Sequence, residues 1–173
     1  MENMERIRSL NLRTAKAIEK HPDLAQRSKV ASARLVDGLT CEVKVGEFTL
    51  ISDMPDVAGG NNKGPTPGDL CEAAVASCLA IGIAYAFADL GLSYSNLEVK
   101  LAVEFDIRKI YGVVSDAPLG FSDLSYTVNV ESSASEADIY RALDRADARG
   151  FMLDNLRRPL EIRRNVQISA LPA

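Results

Sequence analysis

The segment from Gly64 to Gly91 restricts the fold more than any other part of the chain. It reads GPTPGDLCEAAVASCLAIGIAYAFADLG, and the run from Ala73 to Ala88 contains no charged residue. Thr66, Pro67 and Asp69 fit the cap, the first and the third positions of a helix, where the carboxylate can accept the amide of the cap residue. The uncharged run falls short of the roughly 18 to 20 residues of a membrane span. A helix that is apolar on all sides then belongs in the centre of a fold, so we predict a buried central helix.

The cysteine content argues against a disulfide framework and against a zinc site. The 173 residues include three cysteines, Cys41, Cys71 and Cys78, and one histidine, with no CxxC pair. We therefore expect free thiols in a reducing compartment, and no metal or other cofactor. The N-terminus MENMERIRSL carries charges where a signal peptide needs an apolar stretch, so a cytoplasmic location is expected.

The charge of the chain limits its partners. The net charge is −4, and no basic stripe is present that could neutralise phosphates. Nucleic acid and anionic membranes are therefore not expected to be ligands.

Periodicity divides the rest of the chain into a helical arm, residues 1–28, and a single domain, residues 29–173. Residues that alternate between apolar and polar predict strands near Arg34, from 40 to 52 with a hairpin turn at Gly46, from 97 to 107 and from 124 to 130. Ser135 starts a helix that we expect to break near Gly150 before a short further helix, and a last strand is predicted from Leu160 to Ser169. This order predicts an α+β fold built on antiparallel sheets.

Four segments carry a resemblance to a known family. They are GPTPGDLCEAAVASCLA on the central helix, DVAGGNNKGPTPG before it, LEVKLAVEFDI after it and ADARGFMLDNLRRPLEI toward the C-terminus. Together they resemble the OsmC/Ohr family of peroxide-handling proteins over roughly residues 30 to 170. The helix motif is more specific as a marker of the family than as a marker of activity.

The resemblance implies an OsmC-like fold in which two chains form an intertwined homodimer, with active sites at the interface. Family enzymes reduce hydroperoxides with two cysteines: one attacks the peroxide and becomes a sulfenic acid, and the other resolves it as a disulfide. The attacking cysteine matches Cys78. The resemblance further implies an arginine from the N-terminal strands, matched by Arg34, and an acid at the start of the central helix, for which Asp69 is the candidate.

The sequence departs from the family pattern at two places. The resolving cysteine falls on Gly150, and the histidine often found three residues earlier falls on Asp147. The acid of the Ohr branch falls on Gly68, one place before Asp69. Cys71 lies about 10.5 Å from Cys78 along a helix, whereas a disulfide needs Cα atoms within roughly 7 Å. Cys71 is therefore no resolver within one helix, although pairing across a dimer stays open.

Each candidate also has a structural interpretation. A reactive cysteine must be a thiolate, and apolar surroundings disfavour that charge, so a cation is required. Arg34 is the first candidate and Arg149 the second, but both residues also fit solvated surface positions, and Asp69 fits a helix cap.

Two functions remain open. The first is a one-cysteine hydroperoxide reductase whose sulfenic acid is reduced by an external thiol, which would serve peroxide detoxification under oxidative stress. The second is a non-catalytic dimer that binds a small apolar ligand or acts as a scaffold.

Overall fold

The computed structural model describes residues 2–170, and of Glu2 the backbone alone. Met1 and residues 171–173, which belong to the two predicted parts of the chain, lie outside the described residues. The helices and strands, in chain order, are α1 (Glu2–Lys20), β1 (Ala31–Asp37), β2 (Thr40–Val45), β3 (Phe48–Ser52), α2 (Pro67–Asp89), β4 (Asn96–Phe105), β5 (Phe121–Glu131), α3 (Glu136–Ala148) and α4 (Phe151–Arg157), with short 3-10 helices at Pro22–Ala25, Asp56–Ala58 and Arg108–Tyr111. This order confirms the predicted α+β class. The division into an arm, 1–28, and a domain, 29–173, stays a prediction.

Both sheets are antiparallel, as predicted. The first has the order β1-β2-β3, and the second consists of β4 and β5. Gly46 makes the predicted turn between β2 and β3 with a φ of +59°, a left-handed conformation that glycine adopts without strain. In the second sheet Leu97 pairs with Val130 and Val99 with Val128, so the apolar alternation of both strands falls on one face.

The core lies between the second sheet and one side of α2. Ile83 and Phe87 of α2 pack against Ala142 and Ala146 of α3. A second cluster joins Val75 and Leu79 of α2 to Leu153 of α4. These contacts place α2 at the centre of the chain, where it packs against β4 and against the helices α1, α3 and α4.

The opposite side of α2 is not covered within residues 2–170. Ile81 is 55% exposed and Tyr85 is 49% exposed, and Ala73, Ala74 and Ser77 also face outward. The prediction of a helix buried on all sides therefore holds for one side only, because a single chain provides layers for one side only.

The length argument against a membrane span does not hold for α2. The helix has 23 residues, and it is long and apolar enough, by length and composition alone, to cross a membrane. The core helix of a soluble protein passes the same test; within one chain 28% of the apolar window of α2 is buried, on the side that packs against β4 and the other helices.

The N-terminal sheet is also left without a cover. Its strands pack against one another, and none of them packs extensively against α2 or the second sheet. Leu35, Val36, Phe48 and Leu50 are exposed large apolar residues of this sheet. An apolar sheet without a packed layer is unstable in water, so a covering surface is needed from elsewhere.

The last predicted strand, Leu160 to Ser169, is wrong for the described chain. Residues 159–170 have no regular secondary structure. A strand needs a neighbour for its backbone N–H and C=O groups, and residues 159–170 do not pair with either sheet. The apolar alternation remains, since Leu160, Ile162, Val166 and Ile168 are all exposed.

Candidate active site around Cys78

A buried carboxylate, Asp53, shapes the loop that leads into α2. Asp53 is 1% exposed and accepts hydrogen bonds from Thr40 Oγ1 at 2.8 Å, and from the backbone N–H groups of Met54 at 2.8 Å, Asn61 at 3.2 Å and Lys63 at 3.2 Å. Burial alone would raise the pKa of Asp53, but the hydrogen bonds from Thr40 and the backbone outweigh it and hold the pKa below its ordinary value. The carboxylate therefore stays charged and fixes the loop.

Two glycines let this loop lie close to the end of β3. A Cβ on Gly60 would come within 1.9 Å of the carbonyl oxygen of Met54, and one on Gly64 within 2.4 Å of the carbonyl oxygen of Ile51. Any side chain at either position would displace the backbone. The glycines of the loop therefore serve the close approach that aims the chain at α2.

The start of α2 is closed by the predicted capping box. Asp69 N–H donates to Thr66 Oγ1 at 3.1 Å, and Thr66 N–H and Oγ1 donate to Asp69 Oδ2 at 2.8 Å each. The backbone hydrogen bond from Thr66 lowers the pKa of Asp69, and the side-chain bond adds to it. No arginine within residues 2–170 forms an ion pair with Asp69. Within one chain, Asp69 caps the start of α2.

Cys78 lies on the wall of an apolar cleft. Its side chain is half-buried, and the cleft has a volume of about 510 Å³. The walls come from α2 and from the end of α3 with α4: Ala74, Ser77, Cys78, Leu79, Ile81, Gly82 and Tyr85 on one side, and Ala146, Arg149, Gly150, Phe151, Met152 and Leu153 on the other. Cys71 is exposed and Cys41 is half-buried on β2, and neither lines this cleft.

Gly150, the position of the missing second cysteine, lines the same cleft as Cys78. Its φ of −68° and ψ of 101° suit any residue, so the backbone does not require glycine there. A Cβ would lie 3.1 to 3.2 Å from three atoms of Leu153, which would have to shift slightly. Within the described chain, then, no second thiol faces Cys78.

The two arginine candidates lie at different places. Arg34 lies on β1 with a side chain that is 75% exposed, 3.7 Å from Glu42, and it does not line the cleft. Arg149 does line the cleft and donates through Nη1 to Asp89 at 3.1 Å. Within one chain the structure brings Arg149 and Cys78 to one cleft and leaves Arg34 outside it.

Asp89, at the end of α2, is a site residue that the sequence did not reveal. Its Oδ2 accepts from Arg145 and from Arg149, each at 3.1 Å, and its Oδ1 accepts from Asn11 of α1 at 3.2 Å. Burial acts to raise the pKa of Asp89, but the hydrogen bonds from Asn11 and Arg145 and the charges of both arginines hold it below its ordinary value. Asp89 thus joins three helices and holds Arg149, which lines the cleft.

The comparison with known proteins decides the family. The sequence model of the family described as OsmC-like protein matches residues 60–164, more than half of the chain. This chain belongs to the OsmC-like protein family. None of the curated proteins compared with it matches the sequence.

Solved structures of low sequence identity share the fold of this OsmC-like chain. An OsmC-like protein from Mycoplasma pneumoniae has a TM-score of 0.65 at 15% identity, covering 76% of this chain and 89% of its own. An organic hydroperoxide resistance protein OsmC from Legionella pneumophila has a TM-score of 0.55 at 17% identity, with 76% and 90% covered. An organic hydroperoxide resistance protein from Elizabethkingia anophelis has a TM-score of 0.58 at 15% identity, with 76% and 89% covered.

Asp147 of this OsmC-like protein, the position of the family histidine, is turned toward the second sheet. The hydroxyl of Tyr126 donates to its carboxylate at 2.5 Å. Burial, followed by the hydrogen bond and the charge of Asp147, raises the pKa of Tyr126 to about 12. Asp147 therefore ties α3 to β5 and does not line the Cys78 cleft.

The described residues contain no group of three or more His, Cys, Asp or Glu side chains placed to hold a metal ion. Asp53, Asp89 and the Tyr126–Asp147 pair were all missed by the sequence reasoning. The partners of Asp89 and of Tyr126 lie far away in the chain, and those of Asp53 lie in an irregular loop and on β2, so periodic spacing gives no signal for these contacts. The one available signal for Asp89 was an acid that ends an apolar helix.

Proposed function

We propose that this OsmC-like protein is a thiol-dependent hydroperoxide reductase that works with a single cysteine, Cys78. The observation that carries the proposal is the half-buried Cys78 thiol in an apolar cleft whose wall has Gly150 in place of a second thiol. Family membership supports it, as do the hydroperoxide resistance proteins from Legionella and Elizabethkingia that share the fold.

The proposed chemistry needs an external thiol. The Cys78 thiolate attacks the terminal peroxide oxygen, the O–O bond breaks, and the alcohol leaves with a proton while the sulfur becomes a sulfenic acid. A reductant thiol then condenses with the sulfenic acid, which releases water and leaves a mixed disulfide. A second reductant thiol restores Cys78 and carries away the disulfide, so one hydroperoxide and two thiols yield an alcohol, water and a disulfide.

We further propose that the active form is a homodimer in which Arg34 of a second copy approaches Cys78. The exposed face of α2 and the uncovered N-terminal sheet support this arrangement, because each lacks a layer within its own chain. Arg34 would then supply the cation that a thiolate needs. Asp69 would orient Arg34, and its Oδ1 is the oxygen that the capping box leaves for a guanidinium. A reducing, cytoplasmic setting would keep Cys78 active.

The test is rapid mixing of the reduced protein with cumene hydroperoxide, followed by mass spectrometry at each cysteine. One equivalent should convert Cys78 to a sulfenic acid that persists until a thiol is added, and that advances to sulfinic acid with excess peroxide. Cys78→Ser should abolish peroxide consumption, while the matched controls Cys41→Ser and Cys71→Ser should retain it. A folded protein whose Cys78 stays reduced would end the peroxidase proposal.

The proposed role of Arg34 has its own comparison. Arg34→Met should slow the oxidation of Cys78 by the small, neutral tert-butyl hydroperoxide and leave the fold intact, because it removes the cation that favours the thiolate. Arg149→Met should slow that reaction less. The reverse order of the two effects would place the activating cation just after α3 instead of on β1.

A second candidate function is supported by the apolar walls of the cleft and by the lack of a second thiol among them. In it, the dimer binds a small apolar ligand in the 510 Å³ cleft, or acts as a scaffold, and Cys78 serves packing. An unreactive Cys78 in a protein that still binds decan-1-ol would favour this function over the reductase.

A further inference from the structure

We infer that Arg149 is a specificity-determining residue that makes the Cys78 cleft prefer ligands carrying a carboxylate, and that Asp89 and Asn11 position it. The inference rests on the proposed function, in which Cys78 is the reactive end of the same cleft. Arg149 would be the ligand-binding residue at the other end of that cleft.

The two ends lie on one face of α2. Eleven residues separate Cys78 from Asp89, and eleven steps of a helix return to nearly the same face after a rise of about 16 Å, three turns. Tyr85, seven residues after Cys78, lies on that face as well, and it lines the cleft together with Ile81. The face therefore runs from a thiol, past apolar side chains, to the carboxylate that holds Arg149.

This spacing separates the role of Arg149 from that of an activating cation. The guanidinium is hydrogen-bonded to Asp89 at 3.1 Å, and the backbone of Asp89 lies about three helical turns along α2 from that of Cys78. At such a distance near a surface, the attraction between a cation and a thiolate is weak. Arg149 can instead meet the far end of an elongated ligand whose reactive group reaches Cys78.

The charge at this end is positive in excess. A single carboxylate, Asp89, faces two cations, Arg145 and Arg149. The nearby Asp147 does not compensate, because it accepts from Tyr126 on the second sheet. Arg145 Nε is in addition a buried donor without a hydrogen-bond partner among residues 2–170.

Arg149 is also placed to bind an oxyanion. It is the charged residue among the cleft walls, and within one chain its side chain is 62% exposed. The hydrogen bonds of residues 2–170 include one from Arg149, through Nη1. A guanidinium has five N–H donors in a planar fork that matches a carboxylate, so donors remain for a ligand.

Asn11 contributes from α1, which lies outside the family match at residues 60–164. Its amide donates to Asp89 Oδ1 at 3.2 Å, which leaves Oδ2 to accept both arginines. Asn11 thereby fixes the orientation of the carboxylate and, through it, of Arg149. The N-terminal helix would therefore tune the selectivity of a cleft whose walls it does not form.

The ligand that fits has an apolar body and a carboxylate at one end. As a substrate it would carry the hydroperoxide about three helical turns from the carboxylate. The neutral ester of the same molecule would lose the charged contact while keeping the apolar ones.

The first experiment measures binding without any reaction. Calorimetry on the Cys78→Ser protein compares decanoate with decan-1-ol, and we expect about tenfold tighter binding of the carboxylate, the scale of one charge-assisted hydrogen bond. Arg149→Met should remove that preference and leave the affinity for the alcohol, whereas Arg149→Lys should retain part of it. Asn11→Ala should reduce it. The matched control is Arg141→Met, an exposed arginine on α3, the helix that ends just before Arg149. Arg141 pairs with Asp138, and its replacement should change nothing.

The second experiment measures reaction. The substrate is a straight-chain ω-hydroperoxy carboxylic acid long enough to span three helical turns. It should oxidise wild-type Cys78 about tenfold more efficiently than its methyl ester, because the acid needs a lower concentration to reach the half-maximal rate. Arg149→Met should equalise acid and ester. Equal binding of decanoate and decan-1-ol by folded protein, or a preference that survives in Arg149→Met, would overturn the inference.

The two proposals fail differently. Oxidation of Cys78 by acid and ester at equal rates would refute the role of Arg149 and leave the reductase standing. A Cys78 that never reacts, in a protein that still prefers decanoate through Arg149, would refute the reductase and retain the selectivity of the cleft.

Discussion

Asp53 shows how much of this structure depends on single buried polar residues. Its carboxylate gathers a side-chain hydroxyl and three backbone N–H groups from two separate stretches of chain. Three of these four donors meet Oδ2, so the site fits an ionised carboxylate, whose oxygens only accept hydrogen bonds. A charged group of this kind stabilises the loop as long as it stays ionised.

Asp53→Asn should destabilise the protein at neutral pH, because hydrogen-bond donors meet both oxygens of the carboxylate. An amide has one oxygen, and its nitrogen is a donor that would face another donor. The pKa of Asp53 is lower in the folded protein than its ordinary 3.8. Its contribution to stability is therefore complete above that value and is lost as pH falls through the lower folded pKa. The variant should lose less stability than the wild type between about pH 5 and about pH 3, measured by urea unfolding. Asp56→Asn, an exposed neighbour in the same loop, should follow the wild type.

Gly150→Cys tests the geometry of the missing second thiol. Because both positions line one cleft, the variant should form a disulfide between Cys78 and the introduced thiol after one equivalent of hydroperoxide, once Leu153 shifts by a few tenths of an ångström. Mass spectrometry of non-reduced peptides would detect it. Gly120→Cys, in open space outside the cleft, should give no such bond. A disulfide without turnover would mean that the geometry is present and the activation is not.

At the scale of elements, the two faces of α2 are both apolar, but one face is buried and the other is exposed. Val75, Leu79, Ile83 and Phe87 are buried at helical spacing, whereas Ile81 and Tyr85 face outward. Composition makes both faces apolar, and packing decides which of them is covered. Cys78 lies at the boundary, where the outward face meets α4.

Thr66→Ala should destabilise the protein by about 1 kcal/mol, because it removes the hydroxyl that caps Asp69 N–H at the start of α2. Chemical unfolding monitored by circular dichroism would measure it. The control is Thr14→Ala on the exposed side of α1, which should stay within about 0.5 kcal/mol. Equal losses in both variants would indicate that the cap at α2 contributes nothing of its own.

At the scale of the whole molecule, several apolar surfaces lack a cover at once. They are the outer face of α2, the N-terminal sheet and the irregular segment 159–170. Isolated exposed apolar residues are ordinary, but contiguous apolar faces on a central helix and a sheet mark an interface. A second copy of the chain is the occupant proposed above.

Light scattering should therefore give twice the chain mass of 18.7 kDa at micromolar concentration. Ile81→Lys should dissociate or unfold the dimer, because it places a charge on the outer face of α2. Leu12→Lys is the matched control: its side chain is 53% exposed against 55% for Ile81, and it lies on α1. A folded wild-type monomer would remove the dimer together with the shared site. Equal dissociation by both variants would place the interface elsewhere.

Local sequence determined the features that depend on neighbouring residues. The capping box at Thr66 and Asp69, the turn at Gly46, the helix that starts after Ser135 and the α+β class were all predictable, because caps, turns and periodicity act over a few residues. The resemblance on the central helix identified the family for the same reason, since its motif is contiguous.

Only the tertiary structure decided which distant residues meet. It placed Gly150 on the wall of the Cys78 cleft, left Arg34 outside it, and joined Asn11, Asp89 and Arg149 across three helices. It also left residues 159–170 without a strand partner, despite their alternation. Hydrogen bonds, ion pairs and strand pairing require two groups within a few ångströms, and sequence separation does not encode that distance. The sequence by itself therefore determined most of the helices and strands, the family, and Cys78 as a candidate, whereas the fold decided which charges and walls surround that thiol.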